Sequence, residues 1–296
     1  AQINVPRDLW TQVIDIELPS IIRIERQAGG VEAINKATEL LSNAKFPVIL
    51  SGAGVVLANA IEDCVKLSEK LDAPVACGYQ HNDSFPGKHP LAVGPLGYNG
   101  SKAAMEIISK ADVVLALGTR LNPFSTLPGY GIDYWPKEAS IIQVDINADR
   151  IGLTKKVSVG ICGDAKLVAQ QILSKLDSKA GDIGREDRKS LIHQTKSAWL
   201  QTLTSLDHEE DDEGTTWNKD SRERDPDRMS PRMAWRAIQA GLPEDAIISS
   251  DIGNNCAIGN AYPTFEKGRK YLAPGLFGPC GYGFPSVLGA KIGCPD

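Results

Sequence analysis

The chain has 296 residues, enough for two domains of ordinary size, and 42% hydrophobic with 23% charged residues is the composition of a soluble globular protein. A net charge of −5, with no Lys/Arg cluster free of interleaved acids, argues against a nucleic-acid partner. The longest apolar runs, at 46–50 and 113–117, are far too short to span a bilayer, and the first residues lack a signal-peptide pattern, so a cytoplasmic protein with no membrane partner is expected.

Residues 1–29 carry Pro6, Pro19 and mixed polarity, which predicts a linker or a segment crossing a surface. From there helices and strands alternate. Ala33, Ala37, Leu40, Leu41 and Ala44 form a helical stripe over 31–44. Residues 46–50 read as a buried strand, 60–71 as a helix, 74–77 as a strand, 103–109 as a helix and 113–117 as a strand. Two further strands are expected at 141–146 and 157–162, and Asp164 then caps a helix carrying Val168, Ala169, Ile172 and Leu176. Strands that are nearly all apolar and alternate with helices predict an α/β fold: a doubly wound parallel sheet covered on both faces, spanning 30–176.

Residues 177–229 change character and are expected to be a poorly packed connector. Within it, 191–206 can form an amphipathic helix with Ile192, Trp199, Leu203 and Leu206 aligned, followed by the acidic run 207–213, which reads as solvated. A second α/β unit is expected over 230–296. Ser230-Pro231 reads as an N-cap with proline at the first helical position, 246–250 as a strand, and 285–293 as a helix after a glycine-rich turn.

Among six cysteines no two form a CxxC pair, and the four histidines lack metal-ligand spacing, so reduced thiols and no metal-binding histidine are expected. Gly52-Ala53-Gly54 follows a strand, but Leu57 stands where a dinucleotide fingerprint needs its third glycine, so a tight turn is the better reading. Asp251-Ile252-Gly253-Asn254-Asn255 joins a strand to a helix and can offer backbone N–H groups to a diphosphate, although a capped helix start explains it equally. Gly278-Pro279-Cys280-Gly281-Tyr282-Gly283 is either a glycine-rich turn or a place where backbone approaches a flat ligand.

Those motifs carry a resemblance. "PVILSGAGV", "LDAPVACG", "HPLAVGPLGYNGS", "ADVVLALGTRLN" and "IIQVDINADRIG" resemble the middle domain of the acetolactate-synthase superfamily of thiamine-diphosphate (ThDP) enzymes, and "IISSDIGNN" and "FGPCGYGFPSVLGAKIG" the opening half of its diphosphate-binding domain. The resemblance implies that Ile252, Gly253, Asn254 and Asn255 meet the diphosphate end of ThDP, and that Gly278, Cys280 and Gly281 cradle its pyrimidine and thiazolium. Relatives often hold a larger apolar residue where Cys280 stands, one that props the bent cofactor. The resemblance also implies Mg²⁺, no FAD, and a homo-oligomer with active sites at the subunit interface. The family's catalytic glutamate belongs to an upstream domain and its metal-ligating Asp and Asn to a downstream Gly-Asp-Gly motif. The sequence is therefore expected to be a piece of a longer enzyme, holding neither catalytic nor metal-ligating residues and inactive by itself. Distinctive stretches such as "CGYQHNDSFPGKHP" point to a member taking sulfoacetaldehyde and phosphate to acetyl phosphate and sulfite. A lyase or decarboxylase of the acetolactate synthase or oxalyl-CoA decarboxylase type, or a non-catalytic nucleotide-binding module, stays open.

Overall fold

A computed structural model of the protein describes residues 4–22, 24–205, 231–275 and 277–295. Six strands form one parallel sheet: β1 (Pro47–Ser51), β2 (Val75–Cys77), β3 (Ala92–Pro95), β4 (Val113–Leu117), β5 (Ser140–Asp145) and β6 (Val159–Cys162). Their order across the sheet is β3-β2-β1-β4-β5-β6, so the chain winds outward in both directions from β1. Every residue of β1 and β4 is buried. Along β1 the side chains alternate between two cores: Ile49 enters one, Val48 and Leu50 the other. This is the doubly wound α/β architecture expected of continuous apolar strands.

The first core is closed by α1 (Val31–Asn43), α3 (Ile61–Leu71) and α6 (Ala165–Lys175). Helix α3 shows why: Cys64, Leu67 and Leu71, spaced three and four apart, are fully buried while its other face is charged. Asp164 opens α6 by accepting from the N–H groups of Lys166 and Leu167 at 3.0 and 3.2 Å. The second core is closed by α4 (Lys102–Ile108) and α7 (Arg185–Ser205). Two short helices, α2 (Ala53–Leu57) and α5 (Pro123–Thr126), sit at the carboxyl ends of β1 and β4.

Two features differ from the expectation. Strand β3 went unforeseen because Gly94 and Pro95 interrupt it and only alternate residues are buried. Helix α7 falls within the expected connector, yet it is packed. Its anchor is Arg188, 1% exposed. The guanidinium donates to five backbone carbonyls: Lys45 at 2.6 Å, Gly181 at 2.7 Å, Ile183 at 2.8 Å, Asp72 at 2.9 Å and Leu71 at 3.0 Å. One cation thus satisfies carbonyls that the ends of α1 and α3 leave unpaired. Burial pulls its pKa down, opposed by the carboxylates of Asp72 and Asp112. Leu206 and the acidic run 207–213 lie outside the described residues, as does Ser230.

The second unit contains α8 (Pro231–Gly241), β7 (Ile248–Ser249), α9 (Asn254–Ala261), β8 (Tyr271–Leu272) and α10 (Gly283–Gly293), with β7 and β8 paired in parallel. No helix among the described residues is long and apolar enough to cross a membrane.

At the carboxyl ends of β1 and β4, where the winding direction reverses, lies a cavity of about 460 Å³ lined by Gly54, Tyr79, His81, Gly118 and Arg120 among others. A Cβ on Gly54 would sit 2.6 Å from Gly118 Cα, so small residues here serve backbone-to-backbone packing. Burial, and after it the Arg120 guanidinium, holds the His81 imidazole down to about 4.

Two outcomes are expected. Arg188→Met should cost about 3–5 kcal/mol in urea unfolding, because it leaves buried carbonyls without donors; a loss under about 1 kcal/mol would contradict this role. The depressed His81 pKa means that the unfolded chain binds a proton the folded chain refuses between about 6.5 and about 4. Its neutral form stabilises fully above about pH 6.5, and that contribution, up to about 3 kcal/mol, is lost as the pH falls towards 4. Comparing the pH dependence of stability for the parent and His81→Phe should show a flatter slope in the variant; equal slopes would refute the assignment.

Candidate functional site

The segment leaving β7 builds the first half of the site. Gly253 stands at φ 117° and ψ −164°, backbone that a side chain rarely tolerates, and opens α9 with no side-chain cap. Among the described residues, no partner takes the N–H groups of Ile252, Gly253, Asn254 or Asn255. Gly253, Asn254 and Asn255 are exposed. Four free donors at the positive end of a helix suit an anion with several oxygens.

The glycine-rich turn is the second half. Gly278 and Gly281 both take positive φ, 54° and 85°. The two halves are tied at two points. Asp251 Oδ1 accepts from the Gly283 N–H at 2.7 Å, and the backbone N–H groups of Gly281 and Tyr282 also favour its charge, so its carboxyl lies below the usual range. A Cβ on Gly278 would lie 3.0 Å from the Ile252 side chain, so these residues pack directly. An open cavity of about 420 Å³ lies beside this junction, bordered by Trp235, Ser249, Asp251, Asn255 and Phe284.

Of the residues expected from sequence, Ile252 and Gly278 meet, Gly253 and Asn254 present free N–H groups, and Gly281 faces Asp251. Cys280 is exposed on the turn with a free thiol. The Asn255 side chain is turned away from the free N–H groups. Its Nδ2 turns back to Ser250 Oγ at 3.3 Å and the Asp251 carbonyl at 3.2 Å, which leaves its backbone N–H as the donor on offer. Sequence reasoning missed the role of Asp251. Its signal was available: a carboxylate preceding a glycine-rich segment that supplies several N–H groups. Among the described residues no three His, Cys, Asp or Glu side chains group as a metal site.

With this geometry in view, similarity to known proteins has a physical counterpart. A family model described as the thiamine pyrophosphate enzyme central domain matches residues 34–172, the two-cored sheet. A second, the C-terminal TPP binding domain, matches 251–296, which begins at Asp251. A probable sulfoacetaldehyde acetyltransferase of Rhizobium meliloti is 77% identical over the whole chain, which covers 50% of that protein. A sulfoacetaldehyde acetyltransferase of Roseovarius nubinhibens is 74% identical, with 100% of the chain and 49% of the relative covered. A probable acetolactate synthase large subunit of Methanococcus aeolicus is 30% identical over 99% of the chain and 49% of its own length. The chain spans about half the length of the curated relatives it matches. Glycine-lined N–H donors where the TPP-binding match begins, next to a sheet where the central-domain match lies, make this chain a member of the thiamine pyrophosphate enzyme family.

Proposed function

We propose that the protein carrying this chain uses ThDP and Mg²⁺, without flavin, to convert sulfoacetaldehyde and phosphate into acetyl phosphate and sulfite. The observation that carries the reading is 77% and 74% identity, over the whole chain, to proteins described as probable sulfoacetaldehyde acetyltransferase and sulfoacetaldehyde acetyltransferase. The residues present suit the cofactor: the N–H groups of Ile252, Gly253, Asn254 and Asn255 would hold the diphosphate, and the turn through Gly278, Cys280 and Gly281 would lie against the rings. When bound, ThDP supplies a nucleophilic carbon for attack on the aldehyde carbonyl. The chain's part is to bind and orient. Neutral donors hold the anion without a mobile counter-charge, and Asp251 keeps the two halves at a fixed separation. At neutral pH the diphosphate carries several negative charges, which is the reason to assign Mg²⁺ beside these donors.

The same reading gives a cytoplasmic homo-oligomer with active sites at subunit interfaces, binding small molecules and neither nucleic acid nor membrane. It keeps the middle domain at 30–176 and the connector at 177–229, within which Arg188 ties α7 to the first unit.

Two measurements test the proposal on the intact protein. Given sulfoacetaldehyde and phosphate, it should release sulfite and acetyl phosphate only when ThDP and Mg²⁺ are supplied; carbon dioxide from a 2-oxo acid with no sulfite would overturn the substrate assignment. Gly253→Ala should weaken ThDP binding about tenfold or more in calorimetric titration, since a methyl group forces the backbone out of φ 117° at a cost of about 1–3 kcal/mol. Unchanged affinity would move the diphosphate elsewhere.

A further inference from the structure

The loop after β2 reaches across to the second unit and grips α9 at two places, Cys256 in its first turn and Asn260 near its carboxyl end. Asn260, fully buried, is held on three atoms. Its Oδ1 accepts from the Gln80 N–H at 2.6 Å, its Nδ2 donates to the Tyr98 carbonyl at 2.9 Å, and its own carbonyl accepts from Asn82 Nδ2 at 2.7 Å. Asn82 Nδ2 also reaches the Pro263 carbonyl at 3.1 Å. One turn earlier on α9, Cys256 Sγ accepts from Gln80 Nε2. The Gln80 side-chain oxygen faces Gly275, just before the glycine-rich turn. Gln80 takes φ 62°, left-handed backbone that a glutamine rarely adopts, so its placement is held by these contacts against a local cost.

Geometry makes this grip consequential. Six residues separate Asn260 from Asn254, about 9 Å along a helix axis. A tilt of about 10° about Asn260, which the Gln80 contact with Cys256 opposes, would move the free N–H groups by roughly 1.5 Å, enough to carry a hydrogen bond out of its useful range. We propose that Gln80 and Asn82 are positioning residues for the cofactor: from the middle unit they clamp Cys256 and Asn260, and so set where the N–H groups of residues 252–255 meet the diphosphate of ThDP. This rests on the function proposed above. The clamp residues themselves touch no atom of that site. They act by fixing the angle of the helix that does.

The test uses the intact protein and two variants, Asn82→Ala and Gln80→Met. The expected result is about a tenfold rise in the Kd for ThDP in saturating Mg²⁺, with a matching rise in the KM for ThDP and little change in kcat. Hydrogen exchange without ThDP should speed up at the amides of α9 and stay unchanged in β1 and β4, which a general loss of fold would not spare. If Asn82→Ala does not fold, Gln80→Met alone carries the comparison. Affinity within twofold of the parent, or unaltered exchange in α9, overturns the proposal. A parent protein that shows no saturable ThDP binding overturns the cofactor reading itself, and the exchange measurement tells that failure apart from a failure of the clamp.

Discussion

Strand β1 is hydrogen-bonded on both edges and buried on both faces, and the rest of the molecule is arranged around that constraint. A parallel strand cannot be reached by a tight hairpin, so each neighbour of β1 requires a crossover, and covering both faces requires crossovers on both sides. Winding outward in two directions leaves the carboxyl ends of β1 and β4 uncovered by any connection between them. The cavity with His81 and Arg120 is what remains there. The ends of the strand are also accounted for. Asp112 accepts from the N–H groups of Lys45 and Phe46 at 2.7 and 2.9 Å, and Arg188 takes the Lys45 carbonyl, so these three backbone groups leading into β1 are paired.

The candidate cofactor site depends on the same frame at one remove. Its glycines give close approach, and its free N–H groups give donors, but neither property says where the donors point. That is decided by Asp251, which joins the two halves, and by polar contacts from the middle unit to α9. Polar groups suit such a seam. An apolar contact tolerates sliding, whereas Asn260 loses its partners on a small displacement, with each buried group then bearing a desolvation cost.

Much of this was legible in the amino-acid sequence, for identifiable reasons. Strands β1, β4 and β5 announce themselves as apolar runs because both of their faces are buried. Asp164 announces a helix start because a cap acts within three residues. The glycines at 253, 278 and 281 stand out because few residues share their conformational freedom. What escaped is non-local or contrary to type. Edge strand β3 has one face half-covered and carries glycine and proline. Arg188 looks like one more charge on a polar helix, and only carbonyls more than a hundred residues away reveal it as buried. Asn255 turns its amide inward, a choice of rotamer no spacing encodes. The pairing of Asn82 with Asn260 joins polar residues 178 positions apart, with no periodicity to link them.

The two-sided pairing of β1 also bears on how the protein is made. Phe46 and the Asp112 that caps it are 66 residues apart, and β4 follows directly. At ordinary rates of synthesis, about 5–20 residues per second, β1 emerges from the ribosome several seconds before the strand that covers its second edge. During that interval a short, mostly apolar strand with at least one open edge is available to other chains as well as its own. The nascent chain is therefore most vulnerable to misassociation between the emergence of β1 and that of β4, and chaperone occupancy should concentrate in that window of translation.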